Sequence, residues 1–243
     1  NQRPDSAGIG VQFGLEFAAR ELVVNKLPYV VFVQLRGDAI VVLNVVHTKR
    51  MFPINNCLMP IVLVRQKIDA ALPKVAPGLA KYLKIMEFVA TDPAFHDDPE
   101  FRRAFNGFYR VRRSAQTWQP HYFALMARAK SNGFDFSQTL EELFVATGRI
   151  EASFASKLYA TLHPNAPVID TVVLGNLGLR LPPATVPKRL DKVVNIHNCL
   201  TKTFANLLAT EDGKYLVQSF RAAYPKASVT DEKALELVIW QIR

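Results

Sequence analysis

Cysteine is scarce in this sequence: two among 243 residues, Cys57 and Cys199, far apart and in no Cys-x-x-Cys. Thiolates so placed build neither a zinc site nor an iron–sulfur cluster, and a reducing, cytoplasmic compartment is the expectation. Long apolar runs are also missing. No segment approaches the ~18 continuous apolar residues of a spanning helix, so no membrane partner is expected. His96, His121, His163 and His197 lack metal-ligand spacing, and there is no Gly-rich phosphate loop, Gly-x-Ser-x-Gly or His-Glu-x-x-His. Neither a metal nor a cofactor is therefore expected. The opening is polar and Gly-containing and does not read as a signal peptide; Asn1 is not an initiator Met, so a trimmed start is expected.

What is present is an ordinary globular composition, 49% hydrophobic and 21% charged. Lys and Arg outnumber Asp and Glu by 30 to 21, for a net +9. A cationic surface of that kind favours polyanionic partners, because each Lys or Arg on a phosphate releases a condensed counterion.

The chain has two textures. From Arg20 to Val46, β-branched and aromatic runs broken by Pro, Gly and Asp (Tyr29 to Leu35, then Ala39 to Val46) predict an antiparallel meander of about three strands. From about Ile61 the spacing turns helical and stays so. Pro, Gly and Asn punctuate it at Pro73, Pro77-Gly78, Asp92-Pro93, Asn132-Gly133, Gly148, His163-Pro164, Pro182-Pro183 and Tyr224-Pro225. Asp98-Pro99-Glu100 predicts a capped helix start. Leu140, Leu143 and Phe144, and later Leu235, Val238, Ile239 and Ile242, mark apolar faces. The expected organisation is a β segment over 1–58 and an all-helical domain of roughly nine helices over 59–243, mainly α and α+β overall.

The order Arg20-Glu21-Leu22-Val23-Val24, Pro28-Tyr29-Val30-Val31, Gly37-Asp38-Ala39-Ile40 and Val45 through Pro53 resembles the C-terminal half of the RelE/ParE toxin family. Members cut ribosome-bound messenger RNA or inhibit DNA gyrase. The resemblance carries Arg20, His47 and Arg50 onto basic positions near the family's cleavage site. The family's first strand and helical hairpin have no counterpart before Arg20, and His47 through Pro53 looks more like the gyrase-directed branch. Read without the family, Lys49 and Arg50 offer charge to a phosphate and His47 a proton near neutral pH, or the group simply ends a strand in water.

In the helical part, Val145 to Leu158 and Pro167 to Leu179 carry the most information. A helix ends at Gly148 beside Arg149, a second opens in which Ala155 permits close packing, and Asp170 precedes another helix. By itself Asp170 is an N-cap residue, Gly148 a helix C-terminus, and Phe154, Leu158 and Leu162 a core face. The order is similar to the helix-hairpin-helix DNA glycosylases of the endonuclease III-like superfamily. The resemblance implies that the hairpin grips the DNA backbone through main-chain N–H groups. It also implies that Asp170, fifteen residues past Ala155, assists departure of a flipped base. Ile169-Asp170-Thr171-Val172-Val173 and Leu177-Gly178-Leu179 follow the family pattern in outline. The hairpin keeps only Gly148 of a Gly-x-Gly, and Ser153 stands where lyase members carry Lys, so a monofunctional N-glycosylase is implied. Lys157, one turn on, substitutes only if the backbone is shifted.

Between Asp98 and Ser131, Arg102, Arg103, Arg110, Arg112, Arg113, Arg128 and Lys130 oppose two acidic residues and alternate with aromatics. Such a stretch either tracks a nucleic-acid backbone and stacks on bases, or forms amphipathic helices with aromatics inward. Two functions are thus expected: a DNA-binding, glycosylase-like repair protein using Asp170, or a toxin–antitoxin or stress-related protein acting through a protein partner on the β segment, its helical domain non-catalytic.

Overall fold

The computed structural model describes residues 63–242 except Ala115, together with the backbone of Arg20–Val23 (β1), Tyr29–Arg36 (β2) and Ala39–His47 (β3). The chain divides into two compact units, Asn1–Val62 and Leu63–Arg243. In the first, β2 pairs antiparallel with β1 and with β3, and the β2–β3 register shifts between Phe32 and Val33. Arg50 lies outside the described residues, and of Arg20 and His47 only the backbone is described.

The second unit is mainly helical. Its first helix, α1 (Arg65–Thr91), runs 27 residues straight through Pro73 and Pro77, where the sequence predicts breaks. The two rings stand four residues apart on the exposed face, so the lost N–H groups and the crowded carbonyls open toward water. Ile68, Leu72, Val75, Leu79 and Tyr82 are buried on the opposite face. Tyr224 donates its hydroxyl to the Leu72 carbonyl, a polar tie on that buried face. Apolar burial at ~1.5–3 kcal/mol per large side chain outweighs a cost of about 3 kcal/mol at each proline.

The next helices follow their caps. Asp98 accepts from the N–H groups of Glu100 and Phe101 and opens α2 (Pro99–Tyr109) with Pro at its first position, as predicted. Then come α3 (Trp118–Asn132), closed by Gly133 at φ 64°, and α4 (Phe136–Thr147), opened by a capping box on Asp135 and Gln138 and closed by Gly148. Leu140 and Leu143 of α4 are buried, but Phe144, predicted on the same face, is 40% exposed.

The hairpin is completed by α5 (Ala152–Leu162), whose buried Ala155 and Ala160 let neighbours approach closely. After α6 (Thr171–Asn176), α7 (Arg189–Ala209) and α8 (Glu211–Ala223) form a tight helical turn through Thr210. A Cβ on Gly213 would stand 1.9 Å from the Leu207 carbonyl oxygen, so only glycine fits there. The last helix, α9 (Asp231–Gln241), is buried continuously from Lys233 to Ile239 and packs against α1, α6, α7 and α8. It is the core around which this unit closes. No described helix is long and apolar enough to cross a membrane.

Candidate functional site

A cleft of about 300 Å³ opens where the end of α2, the middle of α5, the start of α6 and the last turns of α9 converge. α2 stops at Tyr109 because Arg110 takes the left-handed conformation at φ 53°, which turns the chain away and leaves Phe108 and Arg110 at the cleft. Arg110 lies 5.2 Å above the ring of Trp240, contributed by α9.

Lys157 enters from α5. Its Nζ donates to the Tyr109 carbonyl at 3.1 Å and lies 5.2 Å from the Phe154 ring. Burial holds this amine below the ordinary lysine value, with the carboxylates of Asp170 and Glu236 acting in the opposite direction. Asp170, half-buried, lines the same cleft. Its Oδ1 accepts from the Val172 N–H at 2.8 Å and caps α6. The carboxylate is therefore both a helix cap and a wall of an open cavity, with one oxygen committed to the cap.

The segment that carries Asp170 is fixed residue by residue. The Pro167 carbonyl faces the imidazole of His197 on α7 and opposes the fall of its pKa. The Val168 N–H donates to Glu236 Oε2 at 2.8 Å, and the Ile169 N–H to Ser156 Oγ at 2.9 Å. Glu236 is held in turn by Lys233, whose fully buried Nζ lies 2.6 Å from Oε1 and 4.9 Å from the Tyr82 ring centre. His197 stacks on Phe136 with ring centroids 3.8 Å apart, and burial lowers its pKa to about 4. Backbone with free amides would otherwise be costly to bury, and here two helices, α5 and α9, supply the partners.

The hairpin turn between α4 and α5 is braced as well. Arg113 pairs with Glu151 at 2.5 Å, and Arg189 donates to the Ile150 carbonyl at 3.1 Å. Gly148 closes α4 at φ 66°, and Arg149 beside it is exposed.

The arginine-rich stretch divides. Arg102, Arg113 and Arg128 are engaged with Asp97, Glu151 and Glu142, and Lys130 sits 4.7 Å from the Phe95 ring. Arg103, Arg110, Arg112 and Arg149 are exposed and form no ion pair among the described residues. The aromatics between them turn inward: Phe101, Phe105, Tyr109, Tyr122 and Phe123 are buried, so they are core and not a stacking platform. Phe108, half-buried, reaches the cleft.

Lys157 and Asp170 thus come together, and Arg110 joins them. Gly148 and Arg149 lie at the hairpin turn. Sequence reasoning missed Glu236, Ser156 and Trp240. The signal for Glu236 was present: Lys233 and Glu236, three apart, interrupt the most apolar helical segment, a spacing that pairs charges on one face. No protein-family model matches this chain, and neither a curated protein nor a solved structure matches it.

Proposed function

We propose that the helical unit is a nucleic-acid-binding, base-excising protein of the helix-hairpin-helix glycosylase type, with Asp170 as its reacting carboxylate. The observation that carries this is Asp170 itself, on a segment tied to α5 and α9 and presented to a cleft that also holds Lys157. A base must leave the stack to be reached, and about 300 Å³ walled by Phe108 and Trp240 suits a planar guest. As the bond from the sugar to the base breaks, the electron pair leaves with the base. The carboxylate stabilises the oxocarbenium-like centre and takes a proton from the water that closes on it. Lys157 faces the departing base as a proton donor. The exposed Arg103, Arg110, Arg112 and Arg149 supply charge toward the phosphates, from a cytoplasmic protein that needs no cofactor.

For the first unit we propose a short antiparallel β segment related to RelE/ParE toxins. The ladders of β1 and β3 on β2 support the strand order. A protein partner through that segment is the alternative role.

The test uses the intact chain and duplexes bearing deaminated, oxidised or alkylated bases. DNA affinity should fall steeply with salt. Asp170→Asn should lose base release and keep affinity. Equal release by this variant removes the catalytic role.

A further inference from the structure

The face of α1 that meets α2 is built unlike the rest of the helical unit. α1 contributes Ala80, Lys81 and Lys84; α2 contributes Glu100, Arg103, Ala104 and Gly107, a stripe at i, i+3, i+4 and i+7. Together they line an open groove of about 400 Å³. Its small residues, Ala80, Ala104 and Gly107, leave room along the helices; nothing stands within 4 Å of the point where a Gly107 Cβ would sit.

The rim is cationic. Lys81, Lys84 and Arg103 are exposed. The one opposing carboxylate lining it, Glu100, lies 3.4 Å from Lys84, with both side chains more than half exposed, a pair that water screens to little worth. Lys81 and Arg103 form no ion pair among the described residues. A row of cations over small residues, with no backbone donors beyond helix sides, suits a thin, repeating anion better than a folded protein surface.

The groove also adjoins the cleft. Gly107 ends one and Phe108, the next residue, begins the other. The Phe108 ring rests against α1 at Gly78, 3.9 Å from where a Cβ would be. That places it less than one turn from Ala80 and Lys81 along the same helix.

We propose that the α1–α2 groove is a phosphate-chain-binding surface that carries the nucleic-acid backbone away from the Asp170 cleft. It rests on the nucleic-acid reading of that cleft and adds the path of the strand. Each cation seated on a phosphate releases counterions, so the groove should appear in the salt dependence of binding.

The experiment titrates the intact chain with a short fluorescein-labelled duplex at several salt concentrations. Lys81→Gln, Lys84→Gln and Arg103→Gln together should make the slope of log affinity against log salt shallower by about two to three, at ~0.9 for each phosphate no longer neutralised. The charge-keeping set Lys81→Arg, Lys84→Arg and Arg103→Lys should retain the original slope. All three positions are exposed, so both triple variants should keep the wild-type helical circular dichroism and melting temperature. An unchanged slope in the glutamine set overturns the proposal, as does displacement of the duplex by polyglutamate at equal charge concentration. Base release untouched by Asp170→Asn, with the slope change intact, removes the enzymatic reading and leaves the groove. A wild-type chain without duplex affinity at low salt removes both.

Discussion

The two sides of the segment 167–170 are made of similar side chains and do opposite things. Behind it stand Lys233, Glu236 and Ser156, buried and committed to one another or to its backbone, and His197, buried and stacked on Phe136. In front stand Lys157 and Asp170, half-buried and facing a cavity. A lysine near a carboxylate occurs on both sides. Only the rear pair is closed at 2.6 Å, with Lys233 fully buried and Glu236 nearly so where it reaches the cleft wall. Rigidity and reactivity are therefore supplied by separate groups: the rear set fixes the backbone, so the front carboxylate keeps an oxygen uncommitted to the cap.

Breaking the rear should cost most. Lys233→Met strands the buried Glu236 charge and should destabilise the unit by about 3–5 kcal/mol in urea unfolding. The same substitution in front, Lys157→Met, removes a partly desolvated amine and should change stability by less than ~1 kcal/mol. Equal losses at the two lysines would erase the contrast.

The next effect is one of pH. His197 is pushed down to about 4 by burial, below the ordinary value of 6.5. Between those values the unfolded chain binds the proton and the folded chain does not. Stability is therefore full above pH ~6.5 and falls as the pH drops toward 4, by about 3 kcal/mol in all. His197→Phe should flatten that part of the stability–pH curve, and a slope of undiminished size in this variant would assign it elsewhere.

Smaller still is the cap. Asp170→Ala should lose ~1 kcal/mol with the hydrogen bond to Val172, while Asp170→Asn, which can still accept from that amide, should lose a few tenths. Thermal melts of the two variants distinguish a cap from a residue on which the whole segment depends.

Much of the fold was legible because it is local chemistry. Asp98-Pro99-Glu100, Asn132-Gly133, Gly148 and the acid before Thr171 each end or begin a helix through atoms within four residues of themselves. Pro73 and Pro77 misled because their cost is also local, whereas the apolar face that outweighs it is tertiary. The aromatics of α2 and α3 stayed open between two readings for the same reason, and the inward one holds: periodicity shows that they share a face but not whether that face meets solvent or core.

At the candidate site, Asp170 was legible from its position before a helix. Its supports were not, since Glu236 reaches Val168 across 68 residues and Ser156 reaches Ile169 across 13. Lys157 was legible as a residue, but its place in the cleft follows from how α5 packs, which brings its amine to the carbonyl where α2 ends.

The most direct measurement is single-turnover release of free base from lesion-bearing duplexes, followed chromatographically for the wild-type chain and for Asp170→Asn. The wild type should release base, and the variant should lose about 100-fold or more, the scale of a removed proton-transfer group, with duplex affinity and melting temperature nearly unchanged. Release at the wild-type rate from a folded Asp170→Asn protein would contradict a reacting role for this carboxylate.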